Sequence, residues 1–372
     1  MRELKSKNLA FFFTKGLSLA QWDEKGILLR EIEIYNRLAK YFNIIYFFTY
    51  GDRNEFKYKD QLEPNIRIIP NSKKMNSNLY SLIIPMIYRR ILSRCHFLKT
   101  NQMNGAWTAF LSSYFKGKFI LRTGYSWSLF VKEGGKNPLI QKTIRMIEKI
   151  MYKSCDQAIV SSKQDFHYIA KNYGININKL NIIPNSVNTE IFKPLPKIKY
   201  ENRILYVGRL EKQKNLVNLV KSLTNLSLTL DIIGEGSLKS DILRISKLFD
   251  VKINFLGLIS NYKLPNIINR YKIFVLPSYY EGMPKSLLEA MSCGLACIVT
   301  KIPSIKEVII EKKTGLFTKS YFPKDIRETI LGLQQSKKLQ NKLGRNAHDF
   351  IEKHHSIQNI IKLELLIYKQ CS

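Results

Sequence analysis

The sequence predicts an α/β chain of two doubly wound, Rossmann-like halves, each a parallel sheet with helices on both faces. Three observations predict it. Short apolar runs alternate with stretches of helical spacing along the chain. The runs are continuously apolar rather than alternating, as expected of strands covered on both sides. The 372 residues are about two and a half times a typical ~150-residue domain. Hydrophobic residues make up 45% and charged residues 24%, enough to bury a sizeable core.

In the first half the strand-like runs are NLAFFFT, FNIIYFF, IRIIP, KFILRTG, DQAIVSS and LNIIPN, with helical spacing over 27–41 and 139–153. Arg2, Lys5 and Lys7 precede LAFFFT, but six apolar residues are shorter than the ~7 to 15 of a signal-peptide core. That run therefore reads as a first buried strand of a cytoplasmic protein. FKPLPKIKYEN, 192–202, carries Pro194 and Pro196 and is the linker candidate. The second half repeats the pattern in RILYVG, LTLDIIG, KINFLG, KIFVLPS and ACIVT. After about 323 it turns wholly helical, and 357–368 is an apolar stripe at helical spacing. The predicted organisation is a domain over 1–192, a second over 203–356, and a final helix over 357–372 packing back on the first. Such halves place a central cleft between the carboxyl ends of their sheets, where ligands of this class bind.

Composition excludes several functions. Cys95, Cys155, Cys293, Cys297 and Cys371 supply neither a disulfide framework nor a second ligand pair for a metal, so no metal is expected. The most apolar stretch, 79–88, is half the ~20 residues of a spanning helix and contains Pro85. The net charge of +31 suits polyanions, anionic lipid or diphosphate-bearing substrates. A Lys-rich composition with no ligand behind it competes with that reading. The cations are dispersed and no nucleic-acid-binding signature appears, so nucleic acid is not an expected partner.

Three segments of the second half can carry chemistry. VGRLEKQKN, 207–215, offers Arg209 as a fork and Lys214 as a point charge beside a strand end, suited to diphosphate oxygens; plain solvation is the alternative. DIIGEGSL, 231–238, places Gly234, Glu235 and Gly236 before a helix, where backbone can approach a ligand, although an ordinary turn reads the same. PSYYEGMPKSLLEAMSCG, 277–294, is the most informative. Pro284 suits a first helical turn, so Glu281 precedes a tip formed by Gly282, Met283, Pro284, Ser286 and Leu287, and Glu289 falls about five residues into the helix. Eight helical residues rise ~12 Å, comparable to a nucleotide sugar from hexose to ribose.

With IPNSVNTEIFKP before the linker, these motifs resemble the retaining glycosyltransferases of family 4, which have the GT-B fold, over 155–320. The resemblance implies a hexosyl transfer from a nucleotide-diphosphate sugar to a saccharide or lipid-linked saccharide, in bacterial surface polysaccharide synthesis. It implies Arg209 and Lys214 on the diphosphate, Glu281 on the donor sugar and Glu289 on the ribose, with no metal and no cofactor besides the nucleotide-sugar co-substrate. Gly234, Glu235 and the tip residues would line the donor site, and Gly26 is the glycine for the first loop near the phosphates. Two features depart from the family. Asn185-Ser186-Val187-Asn188 stands where Asn-Gly-Val-Asp is frequent, and Gly124 and Tyr125 stand where many members carry a His. His96 lies one strand earlier. The alternative is a catalytically idle GT-B sugar-binding or assembly subunit.

Residues 73–99 contain six Lys or Arg and no acid among Tyr, Ile, Leu and Met. Such a segment can lie on an anionic bilayer, placing the protein on the inner face of the plasma membrane; an ordinary surface helix is the alternative.

Overall fold

A computed structural model describes residues 3–135, 137–196 and 199–371. Arg2 of the basic start, Lys197 and Ile198 of the linker candidate, and Ser372 at the end of the final segment lie outside the described residues. The chain divides into two compact units, Met1–Pro184 with Ile360–Ser372, and Asn185–Asn359.

Among the described residues the first unit holds a seven-stranded parallel sheet. Its strands are β1 (Asn8–Phe12), β2 (Ile44–Phe48), β3 (Ile66–Ile69), β4 (Phe97–Thr100), β5 (Lys118–Arg122), β6 (Gln157–Val160) and β7 (Leu180–Ile182), in the order β3-β2-β1-β4-β5-β6-β7. Leu9, Phe11, Phe47, Leu98 and Ile120 are wholly buried, which is why these runs are apolar without alternation. The order reverses between β1 and β4, so the loops 13–18 and 101–105 open at the switch point. The helices Leu28–Ala39 and Pro138–Ser154 form where helical spacing predicts them. Asn137 caps the second, with Pro138 in its first turn.

Segment 73–99 is not one continuous surface helix. Asn76 caps the helix Ser77–Ile87, which tolerates Pro85 inside it, and a short turn Arg89–Leu92 follows before β4. Lys99, counted among the basic residues of that segment, lies on β4 and is wholly buried. Its Nζ donates to Glu364 Oε2 at 2.6 Å, and Arg122 Nη1 lies 3.6 Å from Glu364 Oε1. Burial pulls the Lys99 ammonium down to about 8 against the opposing pull of Glu364. Lys99 is therefore withdrawn from any lipid surface.

Glu364 belongs to the final helix Ile357–Gln370, whose residues from Ile360 onward pack in the first unit. Tyr368 of that helix meets Phe42 and Phe97 edge-on at 5.0 and 5.1 Å. The apolar stripe thus seals the first unit.

The second unit holds, among the described residues, a six-stranded parallel sheet. Its strands are β8 (Arg203–Val207), β9 (Thr229–Ile233), β10 (Lys252–Gly257), β11 (Ile273–Leu276), β12 (Ala296–Thr300) and β13 (Leu316–Thr318), in the order β10-β9-β8-β11-β12-β13. The switch point falls between β8 and β11. Phe192, at the start of the linker candidate, is buried in this unit's core, and its carbonyl accepts from Ser292 Oγ.

The two ends of the second unit are fastened to each other. Val187 bridges Ser356 in parallel, with Val187 N donating to His355 O and Ile357 N donating to Val187 O, each at 2.9 Å. His355 is buried, and its Nδ1–H donates to the Asn185 carbonyl at 3.1 Å. Burial lowers the pKa of His355 below 6.5. Between that lowered value and 6.5 the unfolded chain binds a proton that the folded chain does not, so stability falls as pH falls through this window. Urea unfolding between pH 7 and 5 should show this loss, and His355→Gln should flatten it. An unchanged slope in the variant would remove His355 from the acid response.

Candidate functional site at the second switch point

The residues predicted for chemistry in the second half lie in the loops that leave β8, β9 and β11, and in the helix Lys285–Ser292. The loop after β8 runs through a short 3₁₀ turn, Lys212–Lys214, and ends at Asn215 with φ +56, a left-handed conformation that Asn tolerates. Asn215 Nδ2 fixes that turn on the Pro277 carbonyl at 3.1 Å. The turn directs Lys214 inward, where the ammonium is almost covered.

Lys214 and Glu281 meet. Lys214 Nζ lies 2.5 Å from Glu281 Oε1, and the same oxygen accepts from Ser278 Oγ at 2.6 Å. The backbone around Glu281 is held as firmly. Ser304 Oγ donates to its carbonyl at 2.9 Å, Gln213 Nε2 donates to the Tyr280 carbonyl at 2.7 Å, and Tyr279 N donates to the Gln213 carbonyl at 2.9 Å. The sequence assigns Lys214 to a diphosphate and Glu281 to a sugar as separate groups. In the structure they are one nearly buried ion pair, so a change at either alters the other.

Arg209 is exposed beside this pair in sequence, and its carbonyl accepts from the buried Tyr206 hydroxyl at 2.8 Å. Its guanidinium has no hydrogen-bond or ion-pair partner among the described residues. The hydroxyl of Tyr206 is pushed well up, by burial and by the Glu281 carboxylate, so it stays a neutral donor.

The helix tip differs from the expectation in detail. Pro284 caps the helix rather than entering its first turn, and its carbonyl accepts from Leu287 N and Leu288 N at 3.2 and 3.4 Å. The Leu287 amide at the predicted tip is thus already engaged within the helix. Met283 and Leu287 are buried in the core, Ser286 is half-buried, and Gly282 lies in the loop beside Glu281. Glu289 is the fifth helical residue, as expected, and is buried, with Oε1 accepting from Asn261 Nδ2 at 3.0 Å.

Gly234 and Gly236 serve loop packing. A Cβ on Gly234 would lie 2.0 Å from the Gly208 carbonyl oxygen, and one on Gly236 would lie 2.5 Å from that of Leu210. The Glu235 carboxylate is exposed and pairs with Lys239 at 2.9 Å.

Gly26, with φ +66, lies in the connection from β1 to its first long helix, beyond a short helical turn. It lies between the helices Leu19–Glu24 and Leu28–Ala39, and the glycine of the first loop is Gly16, with φ +81. Gly26 lies in the first unit. His96 stands at the amino end of β4, opposite the loops, where its Nδ1 accepts from Asn8 N at 3.1 Å.

Sequence reading missed Gln213, Ser278, Ser304 and Asn185. Asn185 Nδ2 donates to the Met283 carbonyl at 2.7 Å, so the Asn-Ser-Val-Asn turn braces the loop that carries Glu281. The Asn in that motif was the available signal.

Residues 187–350 match the family model for glycosyl transferases group 1. The chain is similar, at 27% identity over 80% of its length and 81% of the relative's, to an uncharacterized glycosyltransferase of Methanocaldococcus jannaschii. It is also similar, at 26% identity over 59% of its length and 62% of the relative's, to the N,N'-diacetylbacillosaminyl-diphospho-undecaprenol alpha-1,3-N-acetylgalactosaminyltransferase of Campylobacter jejuni. Among solved structures it resembles sucrose-phosphate synthase from Thermosynechococcus elongatus, with a TM-score of 0.80, 18% identity and 98% of each chain covered. The fold is GT-B. The glycosyl transferases group 1 match covers both acids, both cations and the whole switch-point loop set.

Proposed function

We propose that this chain is a retaining glycosyltransferase. It moves a hexosyl unit from a nucleotide-diphosphate sugar to a saccharide or lipid-linked saccharide in bacterial surface polysaccharide synthesis, without a metal. The observation that carries this reading is the Lys214–Glu281 pair at the switch point, with the exposed Arg209 on the same loop. The diphosphate leaving group gathers negative charge as the glycosidic bond breaks, and Arg209 and Lys214 supply cations where it develops. Glu281 accepts from the donor sugar's hydroxyls and Glu289 from those of the ribose. The acceptor hydroxyl attacks the face the nucleotide leaves, the departing phosphate takes its proton, and positioning supplies most of the rate.

The purified chain is tested first by thermal shift against a panel of nucleotide sugars, since a ligand at 100 times its Kd stabilises by ~2.7 kcal/mol. The responding donor is then incubated with lipid-linked acceptors, and nucleoside diphosphate release and the anomeric configuration of the product are read. Acceptor-dependent release with an α-linked product from an α-linked donor is expected. Donor binding without release would instead make the protein an idle sugar-binding subunit.

Membrane association belongs to the same reading. Among the described residues no helix is long and apolar enough to cross a membrane. The helix Ser77–Ile87 leaves Leu79, Leu82 and Met86 exposed, with Arg89 and Arg90 following, and these suit a peripheral position on the inner leaflet. Failure to sediment with anionic vesicles at low salt would sink it.

A further inference from the structure

The first unit has a switch point of its own, between β1 and β4, and it carries a cation. Lys15 leaves β1 in the loop 13–18, and its N–H donates to the Asn104 carbonyl at 3.0 Å. Gly105, with φ +99, comes so close that a Cβ there would lie 3.0 Å from Lys15 N, so the two loops are seated on each other. Lys15 Nζ donates to Asn78 Oδ1 at 2.6 Å and lies 5.3 Å from the centre of the Trp107 ring. Trp107 is itself fixed, its Nε1–H donating to Ser81 Oγ at 2.9 Å.

Asn78 is the hydrogen-bond partner of the Lys15 ammonium among the described residues, and no carboxylate pairs with it. A neutral amide and a ring face orient the ammonium without cancelling its charge, which leaves it available to an anion. The half-buried Trp107 beside it supplies an apolar neighbour for a sugar joined to that anion.

The same helix leads outward. Asn78 sits in its first turn, and Leu79, Leu82 and Met86 follow at spacings of three and four, exposed by 54, 53 and 77%. From Asn78 to Met86 the helix rises ~12 Å. One ligand chemistry matches this sequence of surfaces: an anionic phosphate joined to a saccharide on one side and to a hydrocarbon chain on the other.

We propose that Lys15, oriented by Asn78 and Trp107, binds the phosphate of a lipid-linked saccharide acceptor, whose hydrocarbon chain lies along Leu79, Leu82 and Met86. This rests on the glycosyltransferase reading above and names the acceptor chemistry for it. Lys15 is a binding residue for the acceptor and acts on no bond.

The probe is a fluorescently tagged short-prenyl-diphosphate N-acetylglucosamine, titrated by anisotropy into the full chain and into Lys15→Met and Lys15→Arg. At least a tenfold loss of affinity is expected in Lys15→Met, and less than threefold in Lys15→Arg. An octyl N-acetylglucosaminide without phosphate should bind all three alike. Thermal shift by the nucleotide sugar that stabilises the wild type should persist in both variants, which keeps misfolding apart from loss of the subsite. Equal probe binding by Lys15→Met would overturn the assignment. So would displacement of the probe by inorganic pyrophosphate at the probe's own Kd, which would make this a general anion site. Lys15-dependent probe binding in a chain without turnover would leave the inference standing while the transferase reading fell.

Discussion

Lys214→Ala is expected to lower kcat/KM for glycosyl transfer by about 10²-fold or more, a loss of ~3 kcal/mol in the transition state. Two effects add. On the proposed reading the variant lacks a cation where the leaving diphosphate gathers charge, and it leaves Glu281, whose side chain is 6% exposed, with Ser278 and Gln213 as its partners among the described residues. Because Lys214 and Glu281 touch, the double change Lys214→Ala/Glu281→Gln should cost less than the sum of the two single changes. Arg209 is exposed and its guanidinium has no partner to strand among the described residues, so Arg209→Ala should lower the rate while leaving stability unchanged within about 0.5 kcal/mol. Nucleoside diphosphate release and urea unfolding, measured on the same preparations, separate chemistry from folding. Wild-type turnover in Lys214→Ala would remove the pair from the reaction.

Glu364→Ala is expected to destabilise the fold by roughly 3 to 5 kcal/mol, the usual cost of leaving a buried charge without its partner. Lys99 then keeps the Tyr35 ring and the like charge of Arg122 as neighbours, and the loss of Glu364 drives its pKa further down. In the wild type the Lys99 pKa falls from 10.5 to about 8. Between those values the unfolded chain carries a proton that the folded chain lacks, so the contribution of this group to stability rises with pH across the window. Lys99→Met should abolish that rise, and Lys99→Met/Glu364→Leu should recover most of the stability lost in Glu364→Ala. Chemical unfolding at pH 7, 8.5 and 10 tests all three. A Glu364→Ala variant as stable as the wild type would mean that the pair contributes nothing.

Most of the sheet architecture was legible because a strand covered on both faces must be apolar throughout. RILYV, TLDII, IFVL and ACIVT each appear in the sequence as an uninterrupted run. The run also concealed an exception. Asp231 sits inside TLDII, buried, and is satisfied by Tyr271, Asn254 and Arg203 from elsewhere in the chain, which no local pattern announces. The placement of Arg209, Lys214, Glu281 and Glu289 on the switch-point loops and the helix that follows was legible in residue type and spacing. Their pairing was not. Whether Lys214 reaches Glu281 depends on a left-handed Asn215 and on a hydrogen bond spanning 62 residues of sequence. Lys99 misled for the same reason: the other five cations of 73–99 are exposed, but the partner of Lys99 lies 265 residues away.

The second unit is an insertion in sequence within the first, its two ends fastened at Val187 and Ser356, and the first unit's last helix is made after it. During synthesis all of residues 185–359 are made between the seven strands and Glu364, so those strands are complete well before the carboxylate that answers Lys99 is added. A chain ending before Glu364 therefore has every strand of the first unit but not the carboxylate that answers Lys99.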